Sequence, residues 1–199
     1  MSAMNPSYDN DHLKRLHPAF YRGQACVHWN MTIEDRRTGW LVPIFYYKFR
    51  ELLTHTMFRY GISCPIFCLM PDHMHLLWLG IADNSDQRLA IKFLRQQLYP
   101  VLSKFHVRLQ RQPYDRVLRD DERQRIGLQN IVEYIARNPE RKQLVPLEGY
   151  RDYDYTGCLI PGYPDTSPFQ PGYWSLFDRL ISKLRHQGLV QSEWVDDAS

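Results

Sequence analysis

The stretch Cys68-Leu69-Met70-Pro71-Asp72-His73-Met74-His75-Leu76-Leu77-Trp78 constrains the fold more than any other part of this chain. An apolar run enters a proline-containing turn, and a second apolar run leaves it carrying two histidines. Two short apolar runs around a Pro-Asp turn read as a hairpin. Residues two apart on a strand point to the same face, so His73 and His75 project together. Both imidazoles can approach one metal ion from adjacent pleats, held more rigidly than on a loop.

The flanks supply the rest of a sheet. Ala25 to Ile33 alternates as a strand, with Cys26, His28, Asn30 and Thr32 on one face. Pro43 opens an apolar-periodic helix to about Tyr60, with Gly61 at its exit. Ile62 to Met70 is a strand interrupted by Pro65, and His73 to Leu79 is its partner. Asn84-Ser85 caps a helix to about Leu98, which Pro100 should end or kink. Phe105 to Leu109 reads as a short strand. Asp120-Asp121 begins a third helix reaching Asn138 before Pro139, and Arg141 to Val145 reads as a further edge strand. Gly149 to Gly172, rich in Gly, Pro, Asp and Tyr, reads as a long loop wrapping the core. Trp174, Phe177, Leu180, Ile181 and Leu184 mark a last amphipathic helix, stopped near Gly188. This order predicts an α/β (α+β) chain with a split β-α-β layout. An antiparallel sheet carries helices on one face, and the histidines lie on the open face. The expected organisation is an extension over 1–24, a core domain over 25–147, and a wrapping loop with amphipathic helix over 148–199.

At 199 residues the chain can bury a substantial core. No apolar run is long enough to cross a bilayer, and Met1 to Asp11 is polar rather than signal-like. The four cysteines, Cys26, Cys64, Cys68 and Cys158, match neither a zinc knuckle nor a disulfide framework. Reduced thiols in a cytoplasmic protein with no membrane partner are the expectation. A net charge of +3 with widely spread arginines permits phosphate binding. Arg108, Arg111, Arg116 and Arg119 surround Gln110, Gln112 and Tyr114 in a segment that reads either as a nucleic-acid contact or as solvated surface.

Two imidazoles leave a metal underligated, so other positions must be filled by further protein groups or substrate oxygens. Asn138 offers a carbonyl oxygen. Mg²⁺ or Mn²⁺ would accept it, and the imidazoles favour Mn²⁺ or another transition metal. Tyr134 lies one helical turn before Asn138, and a hydroxyl brought near a cation can attack phosphorus. Each residue also has an ordinary role: an asparagine before a proline caps a helix, and an isolated tyrosine is often a rim residue.

Met70-Pro71-Asp72-His73-Met74-His75-Leu76-Leu77, followed by Tyr134-Ile135-Ala136-Arg137-Asn138-Pro139-Glu140-Arg141, resembles the IS200-like transposase family. The closer likeness is to its branch of REP-associated tyrosine transposases, single-strand DNA endonucleases of the His-hydrophobic-His (HUH) class. The resemblance covers roughly Ala25 to Gly157, with supporting pieces at Pro113 to Arg119 and Tyr153 to Gly157. It implies a ferredoxin-like sandwich. It also implies His73, His75 and Asn138 as ligands of a divalent metal, Mg²⁺ or Mn²⁺, and Tyr134 as nucleophile. Single-stranded DNA beside palindromic hairpins is the implied substrate, cleaved and rejoined through a 5′-phosphotyrosine, in the bacterial cytoplasm or nucleoid, by a monomer or a homodimer. Asp72 stands where the family most often has asparagine, and Glu140 where it is usually apolar. A DNA-binding descendant that no longer cuts, and an unrelated metal-dependent hydrolase using water, are the alternatives.

Overall fold

A computed structural model of the protein describes residues 15–187. Five strands, β1 (Cys26–Thr32), β2 (Ile62–Met70), β3 (His73–Gly80), β4 (Tyr114–Leu118) and β5 (Thr156–Leu159), form one sheet in the order β4-β1-β3-β2-β5. All neighbours pair antiparallel, so the class is α+β as the alternation predicts. The central order β4-β1-β3-β2, with helix α1 (Pro43–Tyr60) and helix α2 (Gln87–Ser103) as crossovers, is the ferredoxin-like arrangement.

The hairpin and α1 form where their residues predict. Pro43 sits in the first turn of α1, where its missing N–H is no loss. Gly61 ends the helix in the left-handed region, at φ 59°, and returns its N–H to Met57 O. Pro65 coincides with a shift in the β2–β3 register between Ser63 and Ile66.

Other boundaries differ. The cap of α2 is Asp86, whose carboxylate accepts from the N–H groups of Arg88 and Leu89. Ser85 instead donates to Gly61 O at 2.6 Å. Pro100 lies inside α2, close enough to its end that the helix continues to Ser103. Phe105 to Leu109 is not a strand; Leu109 makes one isolated bridge to Ile33, and the edge strand is β4. The third helix is three pieces, α3 (Asp120–Ile126), α4 (Leu128–Ala136) and α5 (Asn138–Arg141). Gly127, at φ 82°, breaks the first junction, and Arg137 leaves helical geometry just before Pro139. Arg141 to Val145 is no strand: it closes a turn through Leu144 N–H to Pro139 O at 2.9 Å. The sheet also continues past residue 147, because β5 lies in the expected wrapping loop and pairs with β2.

Each sheet face has its own core. Trp29, Leu76 and Trp78 pack with α1 and α2 residues such as Phe49 and Leu94. The opposite face is not open. Ile66, Cys68, Leu77 and Leu79 lie beneath Val132 and Ile135 of α4 and Phe177 and Ile181 of helix α6 (Tyr173–Gln187). The expectation of helices on one face is therefore corrected. Leu77 and Leu79 extend the histidine face as apolar surface, and covering each is worth about 1.5–3 kcal/mol. The four cysteines are buried thiols, none of them in a disulfide among the described residues. Among the described residues no helix is long and apolar enough to cross a membrane. The expected helix stop near Gly188 and residues 1–14 of the N-terminal extension lie outside the described residues.

Candidate functional site

Antiparallel pairing sets one polar quadrant beside the α4–α6 cover. Asn30 of β1 stands between Tyr114 of β4 and His75 of β3, and Thr32 stands opposite His73. His28, one pleat along, faces Arg116. These residues share the face that carries both histidines, because cross-strand partners point the same way.

His73 and His75 do converge. Their Nε2 atoms are 3.0 Å apart, and the residues are only 7% and 8% exposed. Each ring is held from behind. His73 Nδ1 lies 2.5 Å from Asp72 Oδ1, and His75 Nδ1 lies 3.1 Å from His28 Nε2. Asp72 is in turn gripped by Arg36 Nη1 at 3.0 Å. The contacts form one chain, Asp72–His73–His75–His28.

Burial dominates the electrostatics. It pushes the His28 imidazole down to about 4, aided by the charge of Arg116. It pushes His75 down to about 3, aided by His28, His73 and Arg141. Both rings are therefore neutral near pH 7, with lone pairs available. Burial raises the Asp72 carboxyl, but hydrogen bonds from His73 and Arg36 outweigh it and hold the group below its ordinary value. Cys68, beside His75 on β2, is pushed up to about 12 by burial and stays a thiol.

This donor set fits a divalent cation. Adjacent ligands of an octahedral ion with bonds of about 2.1 Å lie about 3 Å apart, the separation of the two Nε2 atoms. Nδ1 partners that orient the ring are the usual support of a metal-binding histidine. Asn30 Oδ1, on the strand next to His75, is buried without a hydrogen-bond partner, which leaves an unsatisfied oxygen in the quadrant. Among the described residues no group of three or more His, Cys, Asp or Glu side chains is arranged to hold a metal, so further ligands must be of another kind. In the metal-free chain one proton per contact suffices, with His28 donating to His75 and His75 to His73. Presenting both Nε2 lone pairs together moves the His75 proton to Nδ1, and His28 then accepts it. Replacing His28 by alanine should accordingly weaken Mn²⁺ binding by roughly 10–100-fold in a calorimetric titration; unchanged affinity would remove His28 from the site.

A second consequence concerns acid. In the unfolded chain these imidazoles titrate near 6.5, whereas in the fold His28 and His75 resist protonation until about 4 and about 3. The unfolded state thus binds more protons as pH falls below 6.5. Stability present above that pH is lost progressively towards pH 4, by roughly 3 kcal/mol for His28 alone. Urea unfolding of the metal-free protein at pH 7 and pH 4.5 should show this fall, and His28→Ala should reduce it.

Tyr134 and Asn138 arrive on the helices that cover β2. Ile131, Val132 and Ile135 anchor α4 over Cys68 and Met70, the β2 neighbours of His75 and His73. Tyr134 is 63% exposed. The two residues do not share one continuous helix face, because the chain leaves helical geometry between them. Asn138 donates its Nδ2 to Ile135 O at 2.7 Å, the capping role open to it from sequence. Neither residue hydrogen-bonds to His73 or His75.

Arg141 links the two halves. Its guanidinium donates to Tyr134 O at 2.6 Å and stacks 4.2 Å from the Tyr134 ring centroid, and its charge lowers the basicity of His75. Sequence reasoning assigned no role to Arg141 or His28. The shared face of His28, Asn30 and Thr32 was legible; their register against β3 was not. The four arginines of 108–119 do not make one surface. Arg108 pairs with Glu34 and Arg116 with Glu122, while Arg111 and Arg119 are exposed on either side of β4.

No family model matches the chain. A Haemophilus influenzae protein with the provisional name REP-associated tyrosine transposase is 26% identical over 142 residues, covering 64% of this chain and 76% of that protein. A solved structure of a REP-associated tyrosine transposase bound to a REP hairpin matches with a TM-score of 0.58 at 16% identity, covering 72% of this chain and 82% of that one.

Proposed function

We propose that this protein, which resembles the REP-associated tyrosine transposases in sequence and in fold, is a metal-dependent tyrosine endonuclease and transposase. Its substrate is single-stranded DNA beside palindromic hairpins, and its place of action is the bacterial cytoplasm. The observation that carries this reading is the convergence of His73 and His75 beneath a helix pair that presents Tyr134.

A bound divalent cation, held by His73, His75 and the Asn138 carbonyl oxygen, would supply Lewis-acid polarisation of the scissile phosphate. Two imidazoles favour Mn²⁺ over Mg²⁺. The protein's own groups do the rest. Asp72 and His28 hold the two rings in position. Arg141 fixes the Tyr134 backbone and lays a cation against the face of the Tyr134 ring. The Tyr134 oxygen forms a bond to phosphorus as the phosphorus–O3′ bond breaks. Its proton leaves to solvent, and the departing 3′ oxygen takes one up. The product is a 5′-phosphotyrosine and a free 3′ hydroxyl, and rejoining reverses the exchange.

The test mixes the protein with labelled single-stranded DNA carrying the palindromic repeats beside its own gene, with Mn²⁺ or with chelator, and resolves the products under denaturing conditions. A metal-dependent covalent adduct is expected. Tight hairpin binding without an adduct would replace this reading with a non-cutting DNA-binding protein. Cleavage without an adduct would replace it with hydrolysis by water.

A further inference from the structure

Asn30 carries a buried oxygen that no group among the described residues satisfies. Its Oδ1 is shut off from solvent and accepts no hydrogen bond, although the residue as a whole is only half-buried. The amide therefore turns its oxygen inward. A buried carbonyl acceptor in this state is uncommon, because water has been removed from it and no donor has replaced it.

The strand register shows what that oxygen adjoins. β1 carries His28, Asn30 and Thr32 on the histidine face, opposite Leu77, His75 and His73. The His75 ring meets His28 through Nδ1 at 3.1 Å and His73 through Nε2 at 3.0 Å. Its two nitrogens thus reach in opposite directions along β1, and Asn30, in the middle of the row, lies alongside the ring. Directly opposed residues hold their Cβ atoms about 4.5–5.5 Å apart, and an asparagine oxygen stands one carbon beyond Cβ. The oxygen can therefore reach the space that the two Nε2 atoms border.

The two flanks of β3 differ in chemistry. On the β2 side, the residues paired with His75 and His73 are Cys68 and Met70, both sulfur side chains. The Cys68 thiol is already engaged, donating to Met70 Sδ at 3.8 Å and accepting from Thr156 Oγ1 at 3.4 Å. On the β1 side the paired residues are Asn30 and Thr32. Magnesium and manganese ions take carboxylate and amide carbonyl oxygens in preference to sulfur. The nearby carboxylate, Asp72, is committed to His73 and Arg36. Of the side chains that pair with the two histidines, Asn30 offers the amide oxygen, and it is the oxygen left without a partner.

We infer that Asn30 Oδ1 is a ligand of the divalent cation, supplied from β1 alongside His73 and His75. This rests on the proposed metal-dependent reading. It adds a ligand fixed by strand pairing within the sheet to the one that Asn138 would bring from the helix cover.

The test is Mn²⁺ titration of the DNA-free protein by calorimetry, joined to water-proton relaxation, which counts the waters left on bound Mn²⁺. Wild type is compared with Asn30→Leu, which keeps the shape without the oxygen, and with Asn30→Asp, which keeps an oxygen and adds charge. Asn30→Leu should bind Mn²⁺ at least about tenfold more weakly and carry about one more water on the bound ion. Asn30→Asp should bind at least about tenfold more tightly with the wild-type water count. A residue that merely supports the fold would move the melting temperature and neither of these readings. Wild-type Mn²⁺ affinity in Asn30→Leu, or a loss of affinity without the added water, overturns the assignment. Should Asn30→Leu not fold, Asn30→Asp decides: affinity no tighter than wild type, or a changed water count, overturns it. In each of those cases a metal-dependent, Tyr134-dependent adduct with wild-type protein leaves the proposed function standing. Absence of Mn²⁺ binding by the wild type overturns the metal-dependent reading together with this one.

Discussion

Tyr134→Phe should lose covalent capture of DNA by at least roughly a thousandfold while keeping hairpin affinity within about twofold. The substitution removes one hydroxyl. It leaves the ring that Arg141 covers at 4.2 Å and the backbone carbonyl that Arg141 holds at 2.6 Å. It also leaves the apolar side of α4, where Ile131, Val132 and Ile135 do the packing. Tyr134 is 63% exposed, so no buried hydrogen bond is broken and thermal stability should not move. Loss of the adduct therefore reports chemistry rather than unfolding. Adduct formation by the phenylalanine variant at the wild-type level would exclude Tyr134 as the nucleophile.

Removing His73 should be almost as severe for cleavage, by a different route. His73→Ala takes away one of the two Nε2 atoms that face each other at 3.0 Å, so Mn²⁺ affinity should fall by more than a hundredfold and metal-dependent cleavage with it. Asp72 keeps its ion pair with Arg36 at 3.0 Å, so the turn keeps a partner for its carboxylate. His75 keeps His28. Hairpin binding should stay within a few-fold, because the change is confined to a side chain that is only 7% exposed. Two measurements separate the effects: calorimetric Mn²⁺ titration for the site, and anisotropy with the hairpin strand for DNA binding. A Mn²⁺ isotherm indistinguishable from wild type would show that the histidines converge for a structural reason.

Much of the fold was legible because the relevant signals are local. Period-two alternation placed β1, Pro43 and Gly61 bounded α1, and the apolar runs on either side of the Pro71-Asp72 turn placed β2 and β3. The errors arose where a local signal was weak or was outvoted. β5 is four residues long and contains Gly157, so its composition reads as loop; its strand state comes from the free edge of β2. The helix was expected to reach about Leu98, with Pro100 ending or kinking it, but the packing of Leu98 and Leu102 into the core carries α2 past it. The third helix was read as continuous because Gly127 and Arg137 interrupt it without disturbing its apolar period.

The candidate site divides the same way. Spacing alone puts His73 and His75 on one face, because a strand alternates whatever surrounds it. Which residues stand behind and beside them depends on pairing across the sheet, and that register is set by contacts far apart in sequence. His28 reaches His75 from a strand 47 residues earlier, and Arg141 brings its charge to the same ring from the helix cover. The sequence by itself determined strands β1, β2 and β3, the histidine pair and the chemistry those side chains can perform. Only the tertiary structure decided that both sheet faces are covered, that the histidine pair is recessed with His75 and His28 held neutral, and that Tyr134 is held by Arg141, because burial and long-range pairing belong to the packed chain and not to any segment of it.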